Sequence, residues 1–182
     1  MSLVLKAGTD WQTVLQRAAD AAPEAISVDG LKNLIGGEWV SGGNIKDHVN
    51  PVDGMPILGP TMLDVDTVMG AVKAAKAQDT EWAKVSLAER KQKVQHAVDL
   101  MREHRDTLAL LLVWEIGKPW KLSCADVDRA LEGVEWYIGE IDRQMEGRTP
   151  LGGPISNIAS WNYPMSVLVH AELVQMLSGN AV

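Results

Sequence analysis

Apolar residues recur along this chain at two spacings, and the change between them marks out its parts. Between residues 64 and 147 the spacing is helical. Asp64 precedes Val65, Val68, Met69, Val72 and Ala75, which predicts a capped amphipathic helix with that stripe turned inward. Ser86 followed by Glu89 forms a capping box. It opens a longer helical stretch with Val94, Ala97, Val98, Met101 and Leu108 on one side and a break near Arg105-Asp106. Gly117 and Pro119 stop this stretch, as a C′ glycine and a following proline do. Ser123 then caps a third helix whose inward face is Val127, Ala130, Leu131, Val134, Ile138 and Ile141, and Gly147 closes it.

The flanking regions follow other patterns. Residues 1–30 read as an accessory segment. Thr9 or Asp10 caps a short helix there, with Trp11, Val14, Leu15 and Ala18 on its apolar side, and Pro23 ends it. Residues 31–63 read as a hairpin region. Leu34-Ile35, Gly36-Gly37 and Trp39-Val40 form a tight hairpin, because the glycine pair supplies positive φ. Asn50-Pro51 with Asp53-Gly54 marks a second turn. Met55–Met62 forms an edge strand at most, given Pro56 and Pro60. Over residues 148–182 the pattern becomes strand, turn, helix. Ile155–Ser160 predicts a buried strand, and Trp161-Asn162-Tyr163-Pro164 a sharp turn. A helix follows to Leu177, and Ala181-Val182 begins another strand. The fold class is therefore α/β: an N-terminal hairpin and helices, then the first strand-helix unit of a Rossmann-like parallel sheet, incomplete at the C-terminus.

Charge and composition narrow the function. The net charge of -7 comes with dispersed Lys and Arg, which argues against nucleic acid or an anionic membrane as partner. The longest apolar run, residues 108 to 114, is far short of a membrane span, and the N-terminus lacks the apolar core of a signal peptide. A cytoplasmic location is expected. The single cysteine, Cys124, excludes an internal disulfide. His48, His96, His104 and His170 show no metal-ligand spacing. The 7 tryptophans stand against no phenylalanine, so tryptophan is expected at large core positions.

One constellation carries chemistry. Ser160-Trp161-Asn162-Tyr163-Pro164, followed by Ser178-Gly179-Asn180-Ala181-Val182, resembles the aldehyde dehydrogenase superfamily. So do, in order, Ile35-Gly36-Gly37-Glu38-Trp39-Val40, Asn50-Pro51 with Gly54, Glu115-Ile116-Gly117-Lys118-Pro119, and Arg148-Thr149-Pro150-Leu151-Gly152. Each is weak alone, and their collinearity over residues 31–182 makes the resemblance specific. It implies an N-terminal portion of an oxidoreductase that converts an aldehyde to a carboxylic acid with NAD or NADP, through a cysteine thiohemiacetal. It further implies that Asn162 is an oxyanion-hole donor. A fixed amide aimed at the developing alkoxide stabilises that charge far more than it does the neutral carbonyl. Ile158, Ala159, Ser160 and Trp161 would lie along the nicotinamide half of the cofactor. Tyr163, Ser166, Val167 and His170 would line the substrate tunnel. For Asn162 the bland reading is a helix cap, and for His170 it is a cap on an exposed turn.

The sequence also departs from the family. Its downstream nucleophilic cysteine and water-activating glutamate have no counterpart here, so the chain alone is expected to be inactive. Cys124, at a helix start, reads as packing. Between Met145 and Arg148 the family carries a subunit-pairing hairpin that this chain lacks, which weakens the case for a homo-oligomer built through that arm. Ser160 replaces the usual proline. A small-molecule aldehyde is the expected partner. The alternative reading is a non-catalytic interaction module related to these enzymes. The aldehyde, the choice between NAD and NADP, and release by water or coenzyme A all stay open.

Overall fold

Glycine pairs and side-chain caps place most element boundaries. In the computed structural model, which describes residues 4–27, 30–46 and 48–182, the chain divides into two compact units. The apolar start at Met1–Leu3 lies outside the described residues.

The first unit holds the chain up to Ala71 together with Asp106–Ser123. Helix α1 (Trp11–Ala21) starts where Asp10 accepts the Thr13 N–H at 3.0 Å. That bond holds the Asp10 carboxyl below its ordinary value. Among the described residues eight short strands follow: β1 (Ile26–Ser27), β2 (Gly30–Leu31), β3 (Asn33–Ile35), β4 (Glu38–Val40), β5 (Asn44–Ile45), β6 (His48–Val49), β7 (Pro56–Ile57) and β8 (Thr61–Met62). They pair antiparallel as β1-β2, β3-β4, β5-β8 and β6-β7. The β3-β4 hairpin turns on Gly36 and Gly37, with φ of 60° and 88°, the doubly positive geometry expected of such a turn.

Three polar side chains tie this unit together. Thr61 donates to the Leu31 carbonyl at 2.9 Å, and the Asn33 amide reaches both the Thr61 carbonyl and its hydroxyl at 3.0 Å. Asn50, almost wholly buried, accepts the Val52 and Asp53 N–H groups and donates to Asp53 and to the Met55 carbonyl. The apolar centre is Val14 of α1 packed with Leu110 and Trp114 of α4 (Arg105–Ile116), joined by Trp11, Val52 and Leu111. The Trp114 indole N–H donates to the Thr9 carbonyl at 2.7 Å. Trp114 thus occupies a large core position with its polar edge satisfied, whereas Trp39, Trp120, Trp136 and Trp161 are exposed and do not fill the core role expected of them. Burying a large apolar side chain contributes about 1.5–3 kcal/mol.

The second unit holds Val72–Arg105 and Cys124–Val182. Helix α2 (Val65–Lys84), capped by Asp64 through the Thr67 N–H at 2.7 Å, enters it by its C-terminal half. Helix α3 (Leu87–Glu103) begins at the Ser86 cap, and the expected break falls at His104. Helix α5 (Trp120–Met145) buries Val127, Ala130, Leu131, Val134 and Ile141. Val94 and Val98 of α3 are buried in the same unit. Arg105 grips Asp128 with two bonds of 2.8 and 2.5 Å and holds that carboxyl below its ordinary value.

Four expectations need correction. The stripe at the start of α2 is not turned inward. Val65 is 76% exposed and Met69 61%, and Val68 and Val72 are also exposed. Periodicity marks a stripe without saying what covers it, and the tertiary hydrogen bonds of α2 come from Asp79 and Trp82 near its other end. Helix α5 starts at Trp120 rather than after Ser123. Pro119 presets the first turn, its carbonyl taking the Leu122 and Ser123 N–H groups, and the Ser123 hydroxyl donates to the Lys118 carbonyl instead of capping. Ile155–Ser160 is no ladder strand. Its one backbone bond runs from the Ile155 N–H to the Ala181 carbonyl at 2.8 Å, too few contacts for a parallel pair. The four ladders among the described residues are all antiparallel, with one isolated parallel bridge, Leu31 to Pro60. Finally, the helix after Pro164 is α-helical only from His170. Residues Pro164–Val169 form a wider π turn, in which the His170 N–H reaches back to the Met165 carbonyl, and α6 (His170–Ser178) continues from it. Among the described residues no helix is long and apolar enough to cross a membrane.

Candidate active-site turn

The sequence motifs singled out above meet in pairs. In the first unit, Gly117 (φ 68°) packs so closely on Pro51 that a Cβ there would lie 2.8 Å from the proline Cγ. His48 Nε2 lies 3.0 Å from the Glu115 carbonyl. In the second unit the Leu151 N–H donates to the Asn180 side chain at 2.8 Å, and Gly179 leaves room for Pro150 and Arg90. Collinear motifs far apart in sequence are thus the two halves of local contacts.

Three sets of side-chain bonds hold the segments that flank the Asn162 turn. The carboxylate of Asp79 accepts the Gly153 N–H at 2.7 Å and the Ala181 N–H at 2.9 Å. These backbone donors, Ala181 first, hold the Asp79 carboxyl below its ordinary value. At the far end of α6, the Trp82 indole donates to the Met176 carbonyl at 2.8 Å. Arg90 donates through Nε to the Leu177 carbonyl at 3.0 Å and through an Nη to Val85 at 3.0 Å. The last carbonyls of a helix have no partner within it, and here a buried guanidinium meets both that need and the negative end of the dipole. Burial pulls the Arg90 pKa down. Beside the turn, Asp126 of α5, only 1% exposed, accepts the Ser166 N–H at 3.0 Å.

The expected site residues fall into two groups. Ile158, Ser160, Trp161, Asn162, Tyr163 and Val167 are exposed, Ile158 almost completely. Ala159, Ser166 and His170 are half-buried. The Arg129 guanidinium sits 6.0 Å from the centre of the Tyr163 ring. His170 is not on an exposed turn. Its ring lies 5.6 Å from that of Tyr137 and fills the notch left by Gly133, where a Cβ would stand 3.2 Å from Nε2. Its Nδ1 is 3.3 Å from the Ser166 carbonyl, while Nε2 is buried without a hydrogen-bond partner. In the first turn of α6, burial raises the Glu172 carboxyl above its ordinary value. Cys124 lies beside Arg105, with its sulfur 3.5 Å from an Nη.

Asp126, Asp79, Arg90 and Trp82 were not singled out from the sequence. A signal existed for Asp126. It sits among Ser123, Val127 and Ala130 on the buried stripe of α5, where an acidic residue needs a partner to be stable.

Comparison with known proteins places the chain in a family. Residues 39–182 match the aldehyde dehydrogenase family. Vanillin dehydrogenase of Corynebacterium glutamicum is 29% identical over 172 residues, covering 85% of this chain and 35% of that protein. Among solved structures, an NAD-dependent benzaldehyde dehydrogenase from Corynebacterium glutamicum is 26% identical with a TM-score of 0.70, over 86% of this chain and 37% of that one. An NADP-dependent glyceraldehyde-3-phosphate dehydrogenase from Bacillus halodurans, complexed with NADP, shares the fold, with 24% identity and a TM-score of 0.76 over 83% of this chain and 36% of that one. This chain belongs to the aldehyde dehydrogenase family. It spans about a third of the length of the relatives it matches.

Proposed function

We propose that this chain supplies the oxyanion-stabilising turn of an NAD(P)-dependent enzyme that oxidises an aldehyde to a carboxylic acid. The observation that carries the reading is that Asn162 is exposed immediately before the cap position of a helix, inside the segment that matches the aldehyde dehydrogenase family. The cap position is Tyr163, which makes no side-chain cap bond, and the N–H of Ser166 is taken by Asp126. The Asn162 amide is set on a rigid segment at the positive end of a helix, where negative charge on a substrate oxygen is favoured.

The neighbouring residues fit the rest of the task. Ile158 and Trp161 present exposed apolar side chains, a surface suited to the flat nicotinamide ring. When bound there, the nicotinamide supplies the hydride acceptor. Tyr163, Ser166, Val167 and His170 follow on the substrate side. We assign the attacking thiolate to a cysteine other than Cys124, which is engaged with Arg105. Two relatives are named for vanillin and benzaldehyde, so these aldehydes are the probes of choice.

The test is NADH or NADPH formation from benzaldehyde and vanillin by the protein expressed from its own gene. Asn162→Ala should lower kcat by about 10²–10³ with KM little changed. An Asn162→Ala enzyme with unaltered kcat would overturn the assignment.

A further inference from the structure

Helix α5 has two faces, and the outer one is unlike an ordinary solvent face. Its buried stripe runs through Val127, Ala130, Leu131, Val134 and Ile141. On the opposite side Ala125, Arg129, Glu132, Trp136, Gly139 and Arg143 are all exposed. Steps of four and three residues alternate along this row, the spacing that keeps side chains in one line facing a neighbouring helix.

Two members of the row are out of place on a helix that faces only water. Trp136 is 53% exposed near the middle of the row, with its ring edge-on to Tyr137 at 4.9 Å. Gly139 lies one turn further on, and no described atom comes within 4 Å of where its Cβ would stand. Glycine inside a helix is destabilising relative to alanine, and none of the described residues comes near enough to require it here. A bulky side chain and an unfilled dent on one exposed line form the two halves of a self-complementary contact.

Charge selects the orientation. An antiparallel copy that sets Trp136 against the partner's Gly139 also sets Glu132 against the partner's Arg143, and Arg143 against the partner's Glu132. In a parallel pair Glu132 would meet the partner's Glu132 and Arg143 the partner's Arg143, which is repulsive. Arg143 already bridges to Glu140 within the helix at 2.8 Å, at an exposed position where such a bond is weak and easily shared.

We propose that the exposed row of α5 is a self-docking surface on which a second copy of this chain lies antiparallel, Trp136 of each seated over the partner's Gly139. It makes no use of the subunit-pairing hairpin that is missing between Met145 and Arg148. One helix pair is a small interface, below the roughly 1,200 Å² of stable complexes, so the dimer is weak, with a Kd on the order of 10 μM.

The test is sedimentation velocity of the 182-residue chain over a range of about 1 to 500 μM. The wild type should pass from monomer to dimer. Trp136→Lys should weaken the dimer at least about tenfold, and Gly139→Leu, which fills the dent, should do the same. Leucine is the better helix former, so that loss could not come from a weakened helix. Glu132→Arg and Arg143→Glu chains should each stay monomeric, since each confronts like charges, while a mixture of the two should pair, since opposite charges then meet at both contacts. A wild type that stays monomeric, a dimer indifferent to Trp136→Lys, or a mixture that fails to pair would each overturn the inference. Oxidative footprinting of Trp136 in the protein expressed from its own gene tests for another occupant. Protection that is lost on dilution supports the second copy. Protection independent of concentration means that the protein's own chain covers the row, and no protection at any concentration means that nothing does; either result sinks the proposal.

Discussion

Replacing Arg90 with methionine tests whether α6 is held by its far end. Arg90 is 7% exposed and donates to two carbonyls, Leu177 at the end of α6 and Val85 just before α3. Methionine fills much the same volume, so the change removes donors rather than packing. Leu177 is fully buried, so water cannot replace the lost donor well. An abandoned buried acceptor costs about 1–3 kcal/mol, with the value for Leu177 near the top of that range and for the more open Val85 near the bottom. The lost cation at the helix C-terminus adds about 0.3–1 kcal/mol, and relief of the guanidinium's own desolvation offsets part of the total. The net is a destabilisation of about 3 kcal/mol. It should lower the urea midpoint of the chain and speed amide exchange in α6 by roughly a hundredfold. Arg90→Lys offers a point charge without the fork and should recover only part of the loss. An Arg90→Met chain with α6 protection within about twofold of wild type would refute the argument, because the carbonyl contacts would then carry no net stability.

Two further outcomes follow from the same unit. Gly133→Val sets a branched side chain where even a Cβ would lie 3.1 Å from the His170 ring, so overpacking should destabilise by about 1–3 kcal/mol, read by thermal unfolding. Asp79 has a folded pKa below its ordinary value, so its contribution is present above the usual carboxylate range and is lost as pH falls through the lower folded pKa. The stability gap between wild type and Asp79→Asn should accordingly stay level near neutrality and close in acid, as followed by urea titrations at stepped pH.

Local chemistry was legible in the sequence, and long-range chemistry was not. The β3-β4 hairpin could be read from Gly36-Gly37, and the starts of α1, α2 and α3 from Asp10, Asp64 and Ser86, because each acts within a few residues. The buried face of α5 was legible because Val127, Ala130, Leu131 and Val134 repeat at the helical period. The stripe at the start of α2 has the same period, yet Val65 and Met69 are exposed, since a period says nothing about what lies opposite. Asn162 was singled out through its motif. Asp126, Arg90, Trp82 and Asp79, which bond the segments around it, do so across gaps of 40 to 102 residues. No local pattern registers such contacts. The π winding escaped for a related reason: Pro164 marks a helix start equally well whether the first turn is α or π.

That winding changes the phase of everything after it. A π turn takes up an extra residue compared with an α turn, and each residue of an α-helix advances about 100° around the axis. His170 therefore does not point where uninterrupted helical counting from Tyr163 would put it. It faces Gly133 on α5, and Leu177 and the αL cap at Gly179 inherit the same offset. Between Pro164 and Val169 the chain thus behaves like a gear with one added tooth. Removing a residue there would leave a well-formed helix in place, but would rotate its whole downstream face away from Arg90, Trp82 and the notch at Gly133.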